Sequence, residues 1–259
     1  MASDKDLQVR LDDGALWLTM DRPDVLNAMS PTMAGDLARL LEEAVGREDV
    51  RVVVLAGAGA AFSAGADISG ADAHERFDVR AMDAANRIIR AVVALDKPVV
   101  AAVGGIAAGV GCSVALASDL VVAADSATFL LAFARIGFMP DGGASASVAA
   151  SIGRARAMRM GLLAEPLSAQ EAYDAGLVTH LATDEDLPAV VERIVRRLAA
   201  GPPLALAATK RAINAATLTQ LEPALERERT GQSLLMRTAD AAEGMRAFGE
   251  GRRPVFRGE

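Results

Sequence analysis

Residues 104–119, GGIAAGVGCSVALASD, decide how this chain is read. They follow Pro98-Val99-Val100-Ala101-Ala102-Val103, a short, partly β-branched apolar run opened by proline, which predicts a buried strand. Glycines at 104, 105, 109 and 111 predict a sharp turn that lets main chain come close to a ligand. From Val110 the small apolar residues suit a tightly packed helix. A strand, a glycine turn and a helix N-terminus gather unpaired N–H groups and the positive end of a helix dipole at one spot. Such a junction holds negative charge, either a phosphate or a charge that develops during a reaction.

Upstream, Asp12-Asp13-Gly14 predicts a hairpin turn between strands 7–11 and 15–20. Ser30 before Pro31 predicts an N-cap and a helix reaching about residue 46. A buried strand is expected at 51–57. Gly57-Ala58-Gly59-Ala60 has only part of the dinucleotide-binding spacing, which argues against a Rossmann site. Ala61 to Ile68 predicts a strand end entering a loop of very small residues, and 69–80 a polar loop before a helix at 81–95. Downstream the pattern predicts strands at 120–124 and from 128, small-residue helices up to about 163, and a capping box at Ser168-Ala169-Gln170-Glu171. A strand at 177–181 follows, then helices at 187–199, 203–216 and 220–248. Repeated strand, turn and helix units imply a layered α/β core with parallel pairing. The composition change at 180–186 divides a core at 1–186 from a helical region at 187–259.

The totals narrow the function classes. Net charge is −7, with 34 acidic and 27 basic residues and no basic run except Arg252-Arg253, which argues against nucleic acid and anionic membranes as partners. The single cysteine, Cys112, rules out an internal disulfide and a cysteine metal cluster, so a reducing compartment is expected. The N-terminus has no apolar leader region, and no window approaches the roughly 18 apolar residues of a membrane span. A soluble cytoplasmic protein without a metal is the expectation.

Two stretches end strands in clusters of small residues: Ala64-Gly65-Ala66-Asp67 and Gly109-Val110-Gly111. If these turns face each other, one N–H from each can hold a single oxygen, which is an oxyanion hole; small residues also serve plain close packing.

At this point the chain resembles the crotonase, or enoyl-CoA hydratase/isomerase, superfamily. The resemblance rests on Asp21-Arg22-Pro23 with Asn27-Ala28, on Ala61 to Ile68, on Lys97 to Val103, on Gly109-Val110-Gly111-Cys112 through Ser118-Asp119, and on Ser168 to Val178. It implies a spiral of ββα units, a helical C-terminal region used for a homotrimer or dimer of trimers, and a coenzyme A thioester as substrate with no separate cofactor. It places the two oxyanion N–H groups on Ala66 and Val110. It assigns Val25, Leu26, Ala28, Ala64, Asp67 and Ile68, with Gly109, Phe133 and Phe256, to the thioester-binding surface, Phe256 as part of an end that can reach across a subunit boundary.

The chain departs from the family where hydration needs its acids. The two hydratase glutamates would sit at Ser113 and Phe133, neither a carboxylate. General acid–base groups contribute about 10²–10⁴-fold each, so an efficient hydratase is not expected. Asp141 remains. An aspartate at this position moves protons in dienoyl-CoA and ring isomerases of the family and is the nucleophile of a dehalogenase, whose assisting histidine would fall near Arg90. Asp141 before Gly-Gly-Ala-Ser-Ala also fits a helix N-cap, which would make it a weaker base. The expected activity is double-bond isomerisation; the alternatives are a non-catalytic acyl-CoA-binding protein and a hydratase using carboxylates of the 72–78 loop. His74, His180 and Ser113 read as structural or solvated, and Arg135 as a partner of either a polar acyl group or an acid.

Overall fold

The computed structural model describes residues 6–70 and 78–259. The chain opens with β1 (Leu7–Asp12) and β2 (Ala15–Met20), paired antiparallel around Asp13 and Gly14, both at positive φ as a tight hairpin requires. Helix α1 (Pro31–Glu43) starts as expected: the Ser30 hydroxyl accepts from Met33 N and Pro31 occupies the first helical position.

A repeating unit follows. Strands β3 (Val52–Gly57) and β4 (Ala61–Ser63) precede α2 (Val79–Ala94). Then β5 (Val99–Val103) and β6 (Ile106–Ala108) precede α3 (Val110–Ala117). Last, β7 (Leu120–Ala124) and β8 (Thr128–Leu130) precede α4 (Ala144–Leu163). With β9 (Leu167–Ser168) and β10 (His180–Ala182) further along the chain, the first strand of each unit joins a large sheet in the order β1-β2-β3-β5-β7-β10, and the second joins a small sheet in the order β4-β6-β8-β9. This is the expected spiral of ββα units. Beyond the β1–β2 hairpin the large sheet is parallel throughout.

Alternation along the large sheet sorts the core. Val52, Val54, Val100 and Val122 face α6 (Leu187–Ala199), burying Val191 and Val195. Val53, Leu55, Val99 and Ala101 share the opposite core with Leu37 and Leu41 of α1 and Ile88 and Val92 of α2. A parallel sheet covered on both faces reads as an apolar run, which is why its strands were visible in the sequence. The capping box closes on both sides: Ser168 Oγ accepts from Glu171 N at 3.2 Å and Glu171 Oε2 from Ser168 N at 2.9 Å, opening α5 (Ala169–Ala175) after β9 (Leu167–Ser168). Strand β10 (His180–Ala182) completes the large sheet.

Two expectations are corrected. The stretch 104–109 is not a simple turn: Gly105 and Gly109, both at positive φ, bracket β6, so the anion-holding junction lies one strand further along than β5. Three residues are too few to show a period. The helix expected at 220–248 is two helices, α8 (Leu221–Leu235) and α9 (Ala239–Gly249), because Thr238 leaves helical geometry and caps Ala241 N with its hydroxyl. Between α6 and α8 lies α7 (Pro203–Thr217).

Candidate active site

The two small-residue turns do face each other. Gly65 has φ +99° and Gly109 φ +52°; a Cβ on Gly65 would sit 2.8 Å from the Ala108 carbonyl and 3.5 Å from Gly109 Cα. Gly111 is as confined, since a Cβ there would meet Ser63 Cβ at 2.7 Å. The small residues therefore serve close approach of two main chains. Ala66 bridges in parallel to Met29 through Met29 N to Gly65 O (2.7 Å) and Asp67 N to Met29 O (3.0 Å). That pairing leaves the Ala66 N–H on the other side of its strand. Val110 is the first residue of α3, where an N–H has no partner one turn back. Among the described residues neither N–H makes a backbone hydrogen bond.

Buried polar groups fix the Ala66 turn. Asn27 Nδ2 donates to Ala58 O (2.8 Å) and Ala61 O (2.7 Å), while its Oδ1 accepts from Arg22 N (2.9 Å). Ser63 Oγ donates to Asn27 O (2.8 Å). Arg22 donates to Ala28 O (2.7 Å) and pairs with Asp67 at 2.8 Å. Burial pushes the Asp67 carboxyl up, but hydrogen bonds from Ser69 and Arg22 outweigh it and hold the group below its ordinary value. Asp67 thus ties the turn to Arg22 and Ser69.

The remaining thioester-surface candidates fall into three places. Val25 and Leu26 are apolar yet 39% and 47% exposed, and Leu26 O accepts from Ala64 N, so they stand beside the turn with buried Ala28. Ile68 packs on the core next to Ala66. Phe133 is buried, and its ring tip lies 4.0 Å from where a Gly109 Cβ would be. Phe256 sits on a tail pinned elsewhere: Arg257 N and Gly258 N donate to Asp240, and Val255 N to Glu243, both on α9.

Asp141 is not the helix cap. The N-cap of α4 is Gly143, at positive φ and without a side-chain cap bond. The first-turn N–H groups of Gly143 (2.7 Å) and Ser145 (2.9 Å) instead donate to Glu228, on α8. The Asp141 main-chain oxygen accepts from Ser113 Oγ at 2.8 Å, one turn below Val110, which ties the Asp141 loop to the helix carrying the candidate donor. Its carboxyl is buried, 5% exposed: Oδ2 accepts a long bond from Gln232 Nε2 (3.4 Å), and Oδ1 has no partner among the described residues. Burial, then the nearby Glu228 charge, push this carboxyl up to about 7, against the pull of Gln232. A carboxyl poised there can accept and return a proton near neutral pH.

Other candidates resolve differently. Arg90 pairs with Glu222 at 2.9 Å, which leaves the dehalogenase comparison without support. Arg135 donates to Ala164 O at 2.7 Å and closes the end of α4, and among the described residues no acid pairs with it. Asp119 bridges Val99 N and buried Lys210. Asp78 caps α2 through Arg80 N. His180 stays with its neighbour Thr179 at 3.0 Å. Cys112 is fully buried and burial pushes its thiol up to about 12, so it is unreactive. Asp72, His74 and Glu75 lie outside the described residues.

Sequence reasoning missed Glu228 and Gln232. Both are wholly buried, on the face of α8 that also buries Leu221 and Leu225. The signal was there: spacing of 4, 3 and 4 makes one helical stripe in which two positions are polar, and a polar residue on a buried stripe has a partner to find.

Comparison with known proteins agrees with this architecture. The description "Enoyl-CoA hydratase/isomerase" belongs to the family pattern that matches residues 11–259. A 1,2-epoxyphenylacetyl-CoA isomerase of Escherichia coli is 36% identical, covering 96% of this chain and 97% of its own. A probable enoyl-CoA hydratase of Rhodobacter capsulatus is 38% identical, covering 97% and 98%. The crystal structure of an enoyl-CoA hydratase from Mycobacterium avium subsp. paratuberculosis superposes with a TM-score of 0.92 at 48% identity, covering 97% and 98%. The chain belongs to the enoyl-CoA hydratase/isomerase family, with the crotonase fold.

Proposed function

We propose that this protein is an enoyl-CoA double-bond isomerase. Asp141 takes a proton from the carbon between the thioester and the double bond of a 3-enoyl-CoA. The electron pair moves into a dienolate whose oxygen is held by the N–H groups of Ala66 and Val110. Asp141 then returns the same proton to the γ-carbon, and the double bond comes to rest beside the thioester. The observation that carries this reading is the Asp141 carboxyl: buried, one oxygen unpartnered, and relieved of helix capping by Glu228. Two positions support it by what they cannot do. Ser113, already bonded to Asp141 O, and Phe133 stand where the family resemblance puts the glutamates of hydration. The name of the Escherichia coli relative, an isomerase, is in keeping with it.

The test is incubation with a 3-enoyl-CoA in deuterated water, following double-bond position and label at the α-carbon. Migration with exchange, lost in Asp141→Asn, supports the isomerase. Binding without exchange supports an acyl-CoA-binding protein, and 3-hydroxyacyl-CoA as the main product supports a hydratase; either removes this reading.

A further inference from the structure

The loop that carries Asp141 is gripped from one side by a single helix. Gln232 Oε1 accepts from Met139 N at 3.1 Å, two residues before Asp141. Glu228 accepts from Gly143 N and Ser145 N, two and four residues after it. The two α8 side chains lie one turn apart and are both wholly buried. Gln232 also reaches Asp141 itself.

The arrangement buries two carboxyl groups at one loop, close enough for the charge of one to act on the other, so both cannot ionise freely. Their surroundings are unequal. Glu228 has two main-chain N–H donors at the start of a helix, a setting that favours the anion. Asp141 has one long amide bond and a bare oxygen. We infer that Glu228 keeps the negative charge of the pair and so makes Asp141 the stronger base, able to take a proton and to hold it until it is returned, while Gln232 fixes which Asp141 oxygen is engaged. Both are positioning residues: they act on the reaction through Asp141. The inference rests on the isomerase reading and deepens it.

The other charged groups packed nearby are turned outward. On α2, Asp83 pairs with Arg229, Arg87 with Glu42 and Arg90 with Glu222. On α3 the titratable group is the inert thiol of Cys112. On α8, burial pushes the Glu228 carboxyl up, and the Ser145 and Gly143 hydrogen bonds and then the Arg227 charge work against it by favouring the anion. Glu228 is therefore the charge that Asp141 meets among the described residues.

The test compares pH profiles of α-proton exchange in a 3-enoyl-CoA for the wild type, Glu228→Gln and Gln232→Met, with Asp141→Asn as reference. Glu228→Gln removes the neighbouring charge, so the acid limb should move down by about one pH unit. Gln232→Met removes a bond that favours the Asp141 anion, so its limb should move up, by about half a unit. Opposite shifts are not the mark of a merely loosened loop. An unmoved or raised limb in folded Glu228→Gln overturns the inference. Should that variant not fold, carboxyl ¹³C titration of the wild type decides. The signal absent from Asp141→Asn should have the higher midpoint of the pair, and a lower one overturns the inference. If Asp141→Asn itself keeps full exchange, the isomerase reading has failed instead, and the two failures stay distinct.

Discussion

The crossing of the two small-residue turns and the Asp141 loop are built on different principles. The crossing is main chain against main chain: at Gly65 and Gly111 a Cβ would strike the Ala108 carbonyl or Ser63, and Gly109 holds a positive φ of +52°. The Asp141 loop is held by side chains from a helix almost a hundred residues away, through Glu228 and Gln232. In the proposed reaction the backbone half has one task, holding an oxygen, and its close packing tolerates few substitutions. A site made of side chains sets the chemistry, since changing the residues that surround Asp141 changes when it carries a proton.

Breaking the side-chain half has the largest expected effect. Asp141→Asn should lower isomerisation by about 10²–10⁴-fold in kcat with little change in KM. The same variant should be no less stable. The wild-type carboxyl binds its proton more tightly folded than unfolded, so its contribution to stability is complete at low pH and is lost as pH rises through about 7. Asp141→Asn should therefore melt at or above the wild-type temperature at pH 8, and a large drop in Tm there would mark Asp141 as structural. The wild-type rate should fall as pH drops below about 7, as the base becomes protonated.

Breaking the backbone half comes next. Val110→Pro deletes the candidate donor at a first helical position, where proline is tolerated, and should cost about 10²–10³ in kcat. An unchanged rate in the folded variant would remove Val110 from the mechanism. Gly65→Ala places a methyl against the Ala108 carbonyl at an unfavourable φ, and should cost about 1–3 kcal/mol by thermal or denaturant unfolding. The smallest effect is expected at the rim: Asp67→Asn weakens the pair with Arg22 and should raise KM a few-fold while kcat holds, read from saturation kinetics.

The same contrast explains what could be read in advance. The glycines at 65, 109 and 111 were legible because close approach and positive φ of the main chain are written locally, as are the Ser30 and Ser168 caps and the valine runs of the parallel sheet. Strand β6 was hidden inside its glycines because three residues carry no period. The role of Asp141 was undecided for a physical reason. An aspartate before Gly-Gly caps a helix unless something else does, and that something, Glu228, comes from a distant helix whose packing no local pattern reveals. Arg135 was ambiguous in the same way, its partner being a main-chain oxygen at the far end of α4.

The central claim is that one buried carboxyl moves the proton while two backbone N–H groups hold the charge. Deuterium incorporation at the α-carbon of a 3-enoyl-CoA, measured side by side for wild type and Asp141→Asn, tests it most directly. The account predicts exchange with double-bond migration in the wild type and loss of both in the variant. Exchange that persists undiminished in a folded Asp141→Asn protein would contradict it.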